Sequence, residues 1–334
     1  MRIAGRELPQ LKPMQSVLPS KVAVIGAGLA GLTCAERLRA AGVRVVVLEK
    51  SRDIGGRLAT RREEFQRWNH GAPAVHVRSP EFRAQIELLR AQGTAAWLPG
   101  ESVAVGVPDM RELLRPLCQS HIEYGGIEYG AEVMRLQRGP VGWSMLLRDG
   151  RSLGLFDIVV CTAPAPQTCA LLHASGISFP DALAHIEYAP CWALLLALPT
   201  PDIDLTVLAH TDVFGYVGRQ SSAGEAAANC AWVLHATAAW SAQHLEHSAQ
   251  DVQHTLLAEV ANAIGTAVQP NAAFAHRWRF ARATQPLSSP SLWLPAARIA
   301  IGGDGFGGGD ATGAFRSALA LADTALAQTR NRPV

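Results

Sequence analysis

Gly26, Gly28 and Gly31 form a G-x-G-x-x-G string, set directly after a short apolar run and at the start of a helical pattern. In that setting the first glycine permits a tight turn, the second lets backbone approach a pyrophosphate, and the third lets helix pack on strand. A helix N-terminus adds free N–H groups and partial positive charge for the phosphates. Glu49 ends the next apolar run, where a carboxylate can accept both ribose hydroxyls of an adenosine. Beyond it lies R-x-x-G-G-R, Arg52 to Arg57. Gly55 and Gly56 let the chain pass close to a cofactor, and Arg57 can pair with a phosphate or a flavin carbonyl. Gly302-Gly303-Asp304 follows a strand pattern far down the chain, so Asp304 can accept a ribityl hydroxyl. The Thr312–Gly313–Ala314 helix start can aim N–H groups at the flavin N1–C2=O edge and stabilise a reduced, anionic flavin there. Together and in this order, these signals point to FAD rather than to NAD as the tightly held dinucleotide.

The elements that must position these residues are legible in outline. Lys21–Ile25, a helix over 29–41 and Val43–Leu48 make a β-α-β unit, the second strand nearly continuous in apolar residues as a buried parallel strand should be. Helices are predicted over 81–90 and 110–118, and strands over 131–136, 142–148 and 156–161. From 165 to 290 the character changes. Alternating patterns at 191–198, 214–219, 230–237 and 274–280 predict a mostly antiparallel sheet, with helices near 165–174 and 248–264. A last strand, 298–301, leads through the G-G-D string to a helix over 312–327. The fold class is therefore α/β, a discontinuous Rossmann-type FAD-binding domain interrupted by a mostly antiparallel sheet domain for the substrate. Residues 21–75, 97–165 and 292–330 are assigned to the first, and 76–96 with 166–291 to the second. Residues 1–20, with three prolines and no periodic apolar face, are read as an extension, and Met14 inside it is an alternative start.

Composition narrows the class further. The chain has 334 residues, 49% hydrophobic and 17% charged, enough apolar material for a sizeable core. Its formal charge of +2, without a basic block, argues against nucleic-acid binding. The longest run free of polar side chains, Val22–Leu32, is too short for a membrane span, and the first twenty residues lack a secretory pattern. Six scattered cysteines with no C-x-x-C pair read as buried thiols of a reducing compartment, hence a cytoplasmic protein.

At this point the chain resembles a family. V-A-V-I-G-A-G-L-A-G, G-G-R-L-A-T-R-R, W-N-H-G-A, V-V-C-T-A-P-A-P, Y-A-P-C-W-A-L-L-L-A-L and H-R-W-R-F-A-R-A recur in this order in bacterial renalase-like flavoproteins. Those belong to the wider amine-oxidase-like group with p-hydroxybenzoate-hydroxylase-like architecture. The resemblance spans about residues 20–328. It implies that Gly26, Gly28, Leu29, Ala30 and Gly31 form the phosphate loop and that Glu49 binds ribose. It places Gly56 and Arg57 on a second phosphate, with Lys50 and Leu58 flanking these contacts. His70, Gly71 and Ala72 would pass the isoalloxazine ring, Val133 would read adenine through its backbone, and Asp304, Gly313 and Ala314 would hold the ribityl chain and C2=O. Two stretches depart from the family pattern: 305–310 is glycine-rich where a Trp is usual, and Pro73-Ala74-Val75-His76 replaces a Gln-Tyr-Phe string.

Catalytic candidates on the substrate side are His70, Trp192, His235 and Trp278. A Trp in such a sheet is more often core than pocket wall, and a His more often structural. Arg277 and Arg279 share a strand face and could hold a carboxamide or phosphate, although a solvated or ion-paired Arg is commoner. The absences also inform. Of the 30 basic residues only Lys12, Lys21 and Lys50 are lysines, so the substrate-domain Lys typical of amine oxidases is missing. The last Tyr is Tyr216 and the last Cys is Cys230, which disfavours an aromatic amine cage and a late covalent flavin link. FAD is expected to be noncovalent, and no metal cluster is expected; His244 and His247 read as a solvated helix face. The resemblance implies oxidation of a dihydronicotinamide, an off-pathway isomer of NAD(P)H, to NAD(P)+ by hydride transfer to flavin N5, with dioxygen reduced to hydrogen peroxide. The alternatives are a flavin oxidase or dehydrogenase of another small molecule, an amine or a polyene, and a flavin-binding module without turnover.

Overall fold

The strand Lys21–Ile25 is apolar on both faces at Val22, Ala23 and Val24 because both faces are covered there. A computed structural model describes residues 20–63, 66–124, 126–199, 203–220 and 230–330; the reading of the N-terminal extension lies outside them. Lys21–Ile25 pairs in parallel with Arg44–Glu49 on one side and Ile158–Cys161 on the other. Ile127–Tyr129 and Ile299–Ile301 continue the parallel array outward, and Leu292–Leu294 closes one edge antiparallel. Against one face lie the helices Leu29–Ala40, Pro80–Ala91 and Ala311–Arg330, through Leu32, Leu38, Phe82, Ile86, Phe315 and Leu321. The other face carries a three-stranded meander, Val133–Gly139, Gly142–Leu147 and Ser152–Phe156, with the helix Ala165–Ala174.

The inserted sheet has four antiparallel strands in the order Phe214–Gln220, Cys230–Ala236, Tyr188–Leu198, Ala272–Ala283. Even-numbered residues of the central strand, Trp192, Leu194, Leu196 and Leu198, pack with Leu234 against Val252, Leu256 and Val260 of the helix Ala249–Ile264. Odd-numbered Ala193, Leu195 and Ala197 face Trp68, on the short strand Gln66–Trp68 that comes from the nucleotide-binding half. The sheet is thus sandwiched between its own helix and the segment that follows the R-x-x-G-G-R string. Among the described residues no helix is long and apolar enough to cross a membrane.

Three sequence expectations need correction. The segment 76–96 packs through Val77, Phe82, Leu89 and Ala95 into the core of the nucleotide-binding half, not against the inserted sheet. Likewise Cys169, Leu172, Leu183 and Ile186 lie under the meander, so the inserted sheet begins only at Tyr188. The helix expected over 110–118 is a 3-10 turn, Met110–Leu113, followed by a separate helix, Arg115–Tyr124. Pro116 has no N–H to continue the earlier turn's bonding. Ser152–Phe156 was not anticipated as a strand of its own: Gly154 interrupts its pattern, and the Asp149-Gly150 turn leads into it.

Candidate functional site

The glycine string does three different jobs. Gly26 has φ +106°, a conformation open to glycine. A Cβ at Gly31 would run into the carbonyl oxygen of Gly26, so this glycine allows the helix to sit on the turn. Gly28, by contrast, is crowded by nothing in the protein. Its nearest prospective neighbour is the Cα of Gly56 at 3.9 Å, and no side chain caps the helix it starts. The first-turn amides, of Leu29, Ala30 and Gly31, have no intrahelical partner. Gly28 and Gly56 therefore face each other across a cradle lined by backbone, as a pyrophosphate requires. Glu49 is buried at its flank, accepting from the N–H of Ala27 at 2.7 Å through Oε2 and of Ser51 at 2.8 Å through Oε1. That leaves lone pairs for ribose hydroxyls. Its backbone carbonyl accepts from Ala131, which brings Val133 near the same end of the sheet. Lys50 is exposed and Leu58 buried. The donor set and the open cradle fit an ADP-containing cofactor.

Farther along, Arg57 and Asp304 form a two-pronged ion pair, with Nη1–Oδ2 at 2.5 Å and Nη2–Oδ1 at 2.6 Å. Burial disfavours the Arg57 charge, but Asp304 more than offsets it and holds the guanidinium above its ordinary range. Tyr188 reaches the same carboxylate at 3.4 Å, and Arg57 also donates to the carbonyl of Phe280 at 3.3 Å, tying the inserted sheet to the cofactor side. Arg57 and Asp304, expected on separate parts of the cofactor, thus hold each other. Gly71 packs directly on the Arg57 carbonyl, and the Ala72 N–H donates to that oxygen at 2.7 Å. At the C-terminal helix, N–H groups that the sequence reading left free for the flavin are engaged within the protein. The N–H of Gly313 donates to Asp310 Oδ1 at 2.9 Å and that of Ala314 to the Asp310 carbonyl, while Asp310 pairs with Arg78. Asp310 caps this helix, which the sequence reading overlooked although an Asp three residues before Gly313 is a capping signal.

The odd-numbered face of the inserted sheet carries a row across four strands: Tyr216 opposite His235, His235 opposite Ala193, Ala193 opposite His276. His70 reaches this row from the W-N-H-G-A loop. Its carbonyl accepts from Trp278 Nε1 at 2.8 Å and from His235 Nε2 at 3.1 Å. Its ring stacks on Trp278, centroids 5.2 Å apart, and meets His276 edge-on at 4.7 Å. Because a carbonyl only accepts, His235 carries its proton on Nε2 when neutral. His70, Trp278 and His235 are brought together, as expected.

Trp192 is not. It is buried on the opposite face of the sheet, its Nε1 donating to the His244 carbonyl at 3.0 Å. Arg277 and Arg279 also leave this face: Arg279 pairs with Glu246 at 2.6 Å, and Arg277 donates to the Leu245 carbonyl at 2.7 Å. His276 was missed, although its two-residue spacing from Trp278 in H-R-W-R puts both on one face. Tyr216 and Arg61 were missed as well; only the tertiary pairing brings them here.

All three histidines resist protonation. Burial, followed by the nearby His276, pushes His70 down to about 4. Burial pushes His235 down to about 4 against the His70 hydrogen bond, and burial with Arg61 lowers His276. A histidine unfolds to its ordinary value of 6.5, so between about 4 and 6.5 the unfolded chain binds more protons than the folded one. Stability from these groups is complete above pH 6.5 and is lost as pH falls toward 4, on the order of 3 kcal/mol for each of His70 and His235. The thermal midpoint should therefore drop across this window, and His235→Gln should flatten the drop. An unchanged slope in the variant would show that His235 is not a buried neutral group.

Comparison with known proteins agrees with this geometry. Residues 24–87 match the model of an NAD(P)-binding Rossmann-like domain and residues 96–326 that of the flavin-containing amine oxidoreductases. Mouse renalase (Mus musculus) is 26% identical over 90% of this chain and 97% of its own. Mouse L-amino-acid oxidase is 50% identical, but over only 22% of this chain and 12% of its own length. Among solved structures, one assigned as a protoporphyrinogen oxidase from Exiguobacterium sp. 255-15 superposes with a TM-score of 0.70 at 10% identity, covering 94% of this chain and 99% of that one. An oxidoreductase from Methanosarcina mazei gives 0.60 at 16% identity, covering 91% and 100%. The chain belongs to the flavin-containing amine oxidoreductase family, and FAD is its cofactor.

Proposed function

We propose that this flavin-containing amine oxidoreductase oxidises a dihydronicotinamide, a 2- or 6-dihydro isomer of NAD(P)H, to NAD(P)+ at the expense of dioxygen. One observation carries the reading: the three histidines on the aromatic face, His70, His235 and His276, have their proton affinity depressed chiefly by burial. An alkyl amine arrives as a cation and must lose a proton before it can be oxidised. His70 and His235, near 4, are poor bases for that task, and no lysine follows Lys50 in the chain. A dihydropyridine is already neutral and gives up hydride without a base, so it needs position rather than proton transfer. Bound FAD would supply the hydride acceptor, with dioxygen as the terminal oxidant and hydrogen peroxide as its product.

The chain's own residues supply the positioning. Trp278, with the His70 ring stacked on one face, would offer its other face as a flat wall, locked by its hydrogen bond to the His70 carbonyl. His235 and His276 flank it with uncharged edges, which suit a carboxamide-bearing ring better than an ammonium. Trp278→Ala should slow flavin reduction by such a donor at least about tenfold, since small misplacements of a hydride donor cost that much or more. Trp192→Ala should leave that rate nearly unchanged while costing about 3–5 kcal/mol of stability, the usual cost of a large cavity in a core. The reverse pattern would place the donor on the other face of the sheet. Turnover tests the reaction itself: NAD(P)+ and peroxide should form in equimolar amounts from a 2- or 6-dihydro isomer. Peroxide formed from an amine, and from no dihydronicotinamide, would replace the reading.

A further inference from the structure

The aromatic face of the strand Ala272–Ala283 has a cation at each end. Phe274, His276 and Trp278 alternate along one side of it; past the register shift that follows Trp278, Arg57 donates to the carbonyl of Phe280 and pairs with Asp304. At the other end Arg61 lies over Phe274, its guanidinium carbon 3.7 Å from the ring centroid. Arg57 belongs to the cofactor's cradle and is neutralised by Asp304. Among the described residues Arg61 is matched by Glu63, at 2.7 Å, in a pair whose members are 40% and 50% exposed. Such an exposed pair holds little net energy and exchanges readily for a better anion. The neighbouring Arg62 turns the opposite way, onto Asp109 and Glu112, and Arg277 and Arg279 occupy the far face of the sheet. Arg61 is thus the guanidinium that borders His276. Two residues of strand, about 7 Å, separate His276 from Phe274, a gap that a ribose spans.

We infer that Arg61 anchors a phosphate of the donor, so that the site selects nicotinamide nucleotides over the corresponding nucleosides. The inference rests on the proposed dihydronicotinamide reaction: a ring held at Trp278 and His276 directs its ribose along the strand toward Phe274. A guanidinium held over an aromatic ring is pre-oriented, and its planar fork matches two phosphate oxygens. Burial is the main cause of the lowered His276 proton affinity, and the further lowering by Arg61 is consistent with its charge acting at this end of the face.

The test uses the holoenzyme and needs no turnover. Nicotinamide mononucleotide and nicotinamide riboside are titrated while the flavin absorbance is followed. The mononucleotide should bind roughly tenfold tighter or better, as a charge-assisted two-pronged contact implies. Arg61→Gln should collapse that ratio to near unity and Arg61→Lys should keep part of it, with FAD content and thermal midpoint showing that both variants are folded. Equal affinities in the wild type, no response to either ligand, or a ratio that survives Arg61→Gln would overturn the anchor. Anaerobic reduction by the 2-dihydro forms of the same two compounds separates this outcome from the reaction. An Arg61-dependent binding ratio without reduction refutes the reaction and keeps the anchor. Equal reduction of both forms does the converse.

Discussion

Gly28→Val should give a folded protein that carries no flavin. The position is extended, with φ −86° and ψ −173°, and a new Cβ would meet only the Gly56 Cα at 3.9 Å. The protein can accommodate that atom; a pyrophosphate resting on the backbone cannot. Gly31→Ala is the contrasting case. Its Cβ would collide with the Gly26 carbonyl, a fixed backbone group, so the loss falls on the fold. We expect several kcal/mol of destabilisation there, beyond the ordinary range of point mutants. Flavin content and thermal midpoint measured on both variants distinguish the two effects. Full flavin occupancy in Gly28→Val would remove the cradle from the account.

The second large effect concerns Arg57 and Asp304. Asp304 is 9% exposed and Arg57 28%, so removing one partner strands a mostly buried charge. Asp304→Ala should cost about 3–5 kcal/mol in the flavin-free protein, a fall in midpoint on the order of 10 °C. Removing both, Arg57→Leu with Asp304→Ala, should restore much of the loss, because no orphaned charge remains. The cycle checks coupling directly. Additive losses would mean that the pair does not act as a unit, and that its members serve the cofactor separately.

The cofactor cradle was legible in the sequence because its signals are local. A turn that only glycine can make, a strand ending in Glu49 and a second glycine pair in R-x-x-G-G-R need no knowledge of distant packing. The aromatic face was only half legible, for a physical reason. Tyr188–Leu198 is buried on both sides, by Leu256 and its helix on one and by Trp68 on the other. Its residues accordingly form a nearly unbroken apolar run, with no alternation to show which side meets the cofactor. Trp192 could be placed on the strand but not on a face. His235 is the one histidine of its strand, and His70 follows a recognisable string, so both could be singled out. Arg61 reaches the face through Phe274, more than two hundred residues away in the chain, and Asp310 was hidden in a glycine-rich stretch. Contacts of that kind are written in the tertiary fold alone.

The account stands most directly on how fast each donor bleaches the flavin when oxygen is absent. Holoenzyme is mixed anaerobically with 2-dihydro-NAD(P), 6-dihydro-NAD(P), ordinary NADH and benzylamine, and the loss of flavin absorbance is followed in time. The resemblance to renalase-like flavoproteins leads us to expect that one or both isomers bleach the flavin far faster than NADH, and neutral histidines with no lysine after Lys50 predict that benzylamine leaves it oxidised. Rapid bleaching by benzylamine, with none by any dihydronicotinamide, would contradict the proposed reaction and leave the fold and the FAD cradle in place.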